Sequence, residues 1–265
     1  MFVFVTVSME RSRYGNEPLR LPNSSDDDGE RNVLALNVLL LGDKQSGRSS
    51  VGNALIGGEV FQTGGCMYGV SVTTECQRRT RNFPRYFRRQ GAESDLTLSV
   101  VDTPPVMPGA MSVHELCPEG VHVVVLVVRA DLPQGNTHQE ERVETLLSTH
   151  WRRHTLLVLT HADHLKEAGL HRSVYLTQAS DWLRTLAEEV GGVFFLDNTR
   201  DWPSIRGRPL RDQLLHLSAR NHHRAVGVRT QNRAQQNRAQ QNRAQQNRVQ
   251  QNRALGTSHD DDTSK

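Results

Sequence analysis

The feature that most constrains this chain is an apolar run that breaks into a loop bounded by two glycines. Leu36-Asn37-Val38-Leu39-Leu40-Leu41 reads as a buried strand and stops at Gly42. Gly42-Asp43-Lys44-Gln45-Ser46-Gly47-Arg48-Ser49 follows in the spacing G-x-x-x-x-G-K-[ST], with arginine in the lysine place, and Ser50 stands at the start of a helix. Strand, loop and helix in that order let main-chain N–H groups converge on an anion at a helix N-terminus. The pattern predicts a phosphate cradle from Gly42 to Ser50, with the Ser49 hydroxyl offered to magnesium. Arg48 keeps the charge of the usual lysine, but a planar guanidinium is larger than an ammonium and changes the fit.

Downstream, strand-length apolar runs alternate with helical patterns. They are Leu96 to Val101, Val121 to Val128, Leu156 to Leu159 and Val193 to Leu196. This alternation predicts an α/β fold with a mostly parallel central sheet and helices on both faces. Val121 to Val128 is the richest in β-branched residues and is expected centrally. Leu176, Ala179, Leu183 and Leu186 read as one helical stripe, and Leu210, Leu214 and Leu217 as a closing helix. Trp182 lies outside the stripe, at the helix edge. His150, Trp151 and His154 read as partly exposed loop residues.

The ends of the chain lack this patterning. Residues 1–32 hold a short apolar start and the acidic run Asp26-Asp27-Asp28, and residues 221–265 hold a five-residue repeat beginning Gln231-Asn232-Arg233-Ala234-Gln235. With little apolar area to offset about 1–2 kcal/mol of backbone entropy per residue, both are expected to be disordered tails. That leaves one domain over 33–220. No run reaches the roughly 20 apolar residues of a membrane span. Three cysteines without C-x-x-C spacing suit a reducing, cytoplasmic setting. The net charge of +3 is spread along the chain and is weak grounds for a nucleic-acid partner. The arginines between Arg78 and Arg89, interleaved with Phe83, Tyr86 and Phe87, read equally well as a long polar connection between strands.

Further polar residues follow the carboxyl ends of the strands, where open α/β sheets place ligands. Asp102-Thr103-Pro104-Pro105 stands where phosphate-binding GTPases carry D-x-x-G, its aspartate partnering magnesium. Pro105, in the glycine place, has no N–H for a terminal phosphate. Thr160-His161-Ala162-Asp163 compares with [NT]-K-x-D, whose carboxylate accepts guanine N–H groups.

Together these segments resemble the GIMAP family of immunity-associated, avirulence-induced-gene-type GTPases, over about Leu34 to Leu217. Ser71-Val72-Thr73-Thr74-Glu75-Cys76 is similar to the family's switch segment S-V-T-x-x-C. Pro118-Glu119-Gly120-Val121-His122 stands where the family has G-P-H, Thr160 to Leu165 is similar to T-H-G-D-E-L, and Leu196-Asp197-Asn198 resembles F-N-N. Val128-Arg129-Ala130-Asp131 and Lys166 to Leu170 point to the GIMAP-domain-containing subgroup.

The resemblance implies a P-loop NTPase-type G domain that binds GTP or GDP with Mg, has slow or absent hydrolysis, and in several members self-associates. By this carry-over Gly42, Asp43, Lys44, Gln45, Ser46, Gly47, Arg48, Ser49 and Ser50 hold phosphates. Thr73 or Thr74 is the switch threonine, Ser49 and Asp102 serve the metal, and His161, Asp163 and Asn198 line the base. Arg48, Pro105 and His161 depart from the ordinary GTPase pattern. They keep two alternatives open, an interaction module without nucleotide and a GTPase completed by dimerisation.

Overall fold

In the computed structural model the described residues are 32–63, 73, 75–89, 91–105, 110–133, 139–197 and 203–229; the side chains of 110–112 and 203–206 lie outside them. Six strands form one sheet: β1 (Asn32–Gly42), β2 (Gln77–Arg89), β3 (Ala92–Asp102), β4 (Val123–Arg129), β5 (Thr155–Thr160) and β6 (Gly192–Leu196). Their spatial order is β2-β3-β1-β4-β5-β6, and only the β2–β3 pair is antiparallel. The strand expected at the centre, β4, lies between β1 and β5.

Two apolar layers explain why β1 and β4 read as continuous hydrophobic runs. Successive side chains point to opposite faces, so a strand covered on both sides has no polar alternate. Leu39, Leu41, Val124, Leu126 and Val128 face a layer with Val143 and Leu146 of α3 (Gln139–Leu146), Leu176 of α5 (Arg172–Gln178), and Leu183 and Leu186 of α6 (Asp181–Glu189). Leu36, Val38, Leu40, Val123, Val125 and Val127 face the other layer, with Val51 and Leu55 of α1 (Arg48–Ile56) and Leu210, Leu214 and Leu217 of α7 (Pro203–Arg220). Two short helices, α2 (Ala110–Leu116) and α4 (Ala162–Glu167), complete the set.

Three local readings differ from the structure. The stripe from Leu176 to Leu186 is broken after Gln178, because the Ser180 hydroxyl accepts the Leu183 N–H and starts a separate helix. Trp151 is fully buried in a 3-10 turn, Trp151–His154, and His154 is buried beside it. Trp182, outside the stripe as its spacing indicates, donates Nε1–H to Glu140 Oε1 of α3 at 2.8 Å.

The arginine-rich stretch, read as a connection, is the edge strand β2, largely exposed and therefore without an apolar period. Its register slips between Phe83 and Phe87, around Pro84, a residue that strands tolerate at edges and bulges. Its arginines serve the fold. Arg81 donates to the carbonyls of Ile56 and Gly57 at the end of α1, and Arg78 to the Leu116 carbonyl at the end of α2. Cations at helix C-termini complement the macrodipole. Past α7, where the sequence reading ends the domain at Arg220, the chain runs back along the fold. Val226 bridges to Val121 and Val228 to Leu147.

Candidate nucleotide site

The loop between β1 and α1 is shaped by backbone that a side chain would spoil. A Cβ on Gly42 would stand 2.6 Å from both Ser46 Oγ and the Val127 carbonyl oxygen. Gly47 has φ +91°, left-handed backbone that glycine adopts without a steric cost, and α1 begins at the next residue. Among the described residues the N–H groups of Gly47, Arg48 and Ser49 find no main-chain acceptor, as expected for a helix start. Ser46 Oγ is buried and also without a partner. Unpaired donors at a glycine-shaped helix start fit a phosphate group.

Arg48 folds into this region and is only 6% exposed. Its Nη1 donates to Thr103 Oγ1 at 3.3 Å, and that hydroxyl donates to the Leu40 carbonyl at 2.8 Å. Burial holds the guanidinium below its ordinary pKa, and the nearby charges of Asp102 and Asp43 oppose the shift. Asp102 closes β3. Its Oδ2 accepts the Ser49 hydroxyl at 2.7 Å and the Thr73 hydroxyl at 3.5 Å, while Oδ1 is buried with no hydrogen-bond partner. Burial raises the Asp102 pKa against the pull of the Ser49 hydrogen bond and the Arg48 charge. Two hydroxyls and a carboxylate with a spare buried oxygen form a hard-oxygen donor set suited to Mg²⁺. Thr74 lies outside the described residues, so of the two switch threonines Thr73 is the one seen beside Asp102.

At the end of β5, Thr160 joins this loop to the next. Its Oγ1 donates to the Ser46 carbonyl at 2.7 Å, and its own carbonyl accepts the Ala130 N–H at 2.9 Å. His161 follows in left-handed backbone, φ 57°, with Nδ1 3.2 Å from Thr160 Oγ1, and burial lowers its pKa, favouring the neutral ring. Asp163 sits in the first turn of α4, with His164 Nε2 3.9 Å from its Oδ2. Alongside, Arg129 grips Asp131 through two hydrogen bonds of 2.9 and 2.6 Å, which holds that carboxyl below its usual range. Lys166 and Arg172 both pair with Asp197 at the end of β6. Asn198, the next residue, lies outside the described residues.

Thus Ser49, Thr73 and Asp102 meet directly, and Thr160 couples the Gly42–Ser50 loop to His161, with Asp163 two residues on. Sequence reasoning quoted Thr103 and Thr160 within motifs but gave them no role. Each is a lone hydroxyl at the end of a buried apolar strand, and such a hydroxyl needs an internal acceptor.

The model of the AIG1 family matches residues 36–253. The chain belongs to the AIG1 family. Curated AIG1-type relatives include immune-associated nucleotide-binding protein 4 of Arabidopsis thaliana, 24% identical over 216 residues, covering 76% of this chain and 60% of that protein. Immune-associated nucleotide-binding protein 1 of the same plant is 24% identical over 204 residues, covering 71% of this chain and 85% of the relative. The chain thus spans less than two thirds of the first relative's length. Among solved structures, this AIG1 chain is similar to a dimerization-deficient mutant of Toc33 from Arabidopsis thaliana, with a TM-score of 0.48, 17% identity, and 73% of this chain and 88% of that one covered. Toc33 in complex with GDP and Mg²⁺ gives a TM-score of 0.46 and 18% identity, covering 74% and 88%. Among the described residues, no helix is long and apolar enough to cross a membrane.

Proposed function

We propose that this AIG1-family chain binds GTP or GDP with Mg²⁺ and acts as a cytoplasmic switch or scaffold with slow or absent turnover. The observation that carries the reading is the convergence of Ser49, Thr73 and Asp102 beside a glycine-shaped helix start. In this reading the loop from Gly42 to Ser50 cups the phosphates, and Ser49 and Asp102 hold the metal, which neutralises phosphate charge. Asp163 accepts the N–H groups of guanine, with His161 and Asn198 beside the base. Slow turnover follows from Pro105, which offers no N–H where a D-x-x-G glycine would. Self-association through the G domain is the family's expectation for this chain.

A second reading, an interaction module without nucleotide, has one structural observation in its favour: Arg48 already donates to Thr103 inside the fold. Selectivity separates the two. Competition of GDP and ADP against a fluorescent guanine nucleotide should favour GDP in the natural chain, and Asp163→Ala should abolish that preference while retaining phosphate-dependent binding. Equal competition by ADP in the natural chain would remove the guanine-binding reading.

A further inference from the structure

The nucleotide site lies at the carboxyl ends of the parallel strands, and a second concavity opens at their amino ends. The length of β5, about 16 Å at ~3.3 Å per residue, separates Thr160 at one end from Thr155 beside the other. This second cavity has a volume of about 350 Å³ and lies between the turn after α3 and the turn after α7. Arg153, Arg220 and Arg224 line it together with His150, His154 and His222, and among the described residues no carboxylate does. Among the described residues none of the three guanidiniums has an acidic partner. Arg153 Nη2 lies 3.5 Å from His150 Nδ1, and Arg220 donates to the Gly191 carbonyl.

The walls are held independently of any ligand. Asn221 Nδ2 donates to the Arg153 carbonyl at 2.9 Å, and the Val121–Val226 bridge fixes the returning chain. The turn also carries unusual backbone: His222 and His223 are consecutive residues with φ 53° and 54°. Left-handed residues commonly close a helix C-terminus, and histidine is among the side chains that adopt this backbone, so the pair ends α7. His223 is secured by its N–H to the Ser218 carbonyl at 2.8 Å and by Nδ1 at 3.0 Å from Ser218 Oγ.

Uncompensated guanidiniums around a concavity suit one ligand chemistry, since the planar fork matches the oxygens of a phosphoryl group. We propose that this cavity is a second anion site, distinct from the loop after β1, that takes a free, compact, multiply charged oxyanion of the phosphate or pyrophosphate class.

The test is a calorimetric titration of the full chain with inorganic pyrophosphate in magnesium-free buffer, with sodium sulfate at matched ionic strength as the control. Pyrophosphate binding is expected to persist when GDP is present in excess, and to weaken on the order of tenfold or more in Arg153→Gln/Arg224→Gln. Should the double variant fail to fold, Arg224→Glu alone, at an exposed side chain, should weaken binding to a similar extent. An unchanged isotherm in these variants, binding abolished by GDP, or no binding beyond that of sulfate would each overturn the proposal. The nucleotide reading fails separately, through loss of GDP binding while pyrophosphate still binds.

Discussion

Thr160 is the residue through which the two halves of the candidate nucleotide site are joined, so its removal is the sharpest perturbation of the architecture. Thr160→Val keeps the side-chain shape and deletes the hydroxyl that donates to the Ser46 carbonyl at 2.7 Å. Thr160 is fully buried and Ser46 nearly so, which leaves the carbonyl little access to water. An unsatisfied buried polar group costs about 1–3 kcal/mol. The added methyl returns about 0.8 kcal/mol of burial. The expected net loss is roughly 0.2–2 kcal/mol in urea unfolding, with an unchanged denaturant slope. Because the lost bond anchors the loop itself, affinity for GDP should fall on the order of tenfold. Thr160→Ser is the counterpart. It keeps the hydroxyl and removes the methyl group that packs against Gly47, so stability should drop by about 1 kcal/mol with GDP affinity little changed. Wild-type stability and GDP affinity in Thr160→Val would refute the coupling.

Other consequences follow from burial and charge. Arg48→Ala removes a charged donor from the loop and should weaken GDP binding on the order of ten- to a hundredfold in a fluorescence titration; an unchanged constant would show that Arg48 does not reach the phosphates. Burial, with the Asp102 charge adding, pushes the Cys76 thiol up to about 11. Its alkylation by iodoacetamide at pH 8, followed site by site by mass spectrometry, should run on the order of a hundredfold slower than that of a free thiol and accelerate as pH rises; a free-thiol rate would contradict that environment. Trp151→Ala should destabilise the protein by about 3–5 kcal/mol, as befits a fully buried ring, and a loss below 1 kcal/mol would return Trp151 to the surface.

What was legible in the sequence follows from where water is excluded. Strands β1, β3, β4, β5 and β6 lie inside the sheet or against helices, so their apolar runs announce them. The loop from Gly42 to Ser50 is legible because its conformation demands glycine at Gly42 and Gly47, whatever surrounds it. By contrast, β2 is exposed along most of its length, so no apolar period in its side chains announces it as a strand. Ala179 kept the helical spacing across a break that one serine hydroxyl creates. Trp151 reads as a loop residue because it lies between a helical pattern and a strand, and only the fold buries it. Arg152 is held by three glutamates, Glu140 and Glu144 of α3 and Glu189 of α6. At the site, Asp102 and Ser49 were readable as motif positions, whereas the Thr160 bridge between loops 114 residues apart is a product of the fold.

The central claim, that the glycine-shaped loop after β1 cups the phosphates of a guanine nucleotide, is tested most directly by titrating the full chain with GDP in the presence and absence of Mg²⁺. The account predicts saturable binding with a Kd on the order of tens of micromolar or tighter, strengthened by Mg²⁺ through Ser49 and Asp102. A folded sample that shows no heat or fluorescence change with GDP well above that range would contradict it.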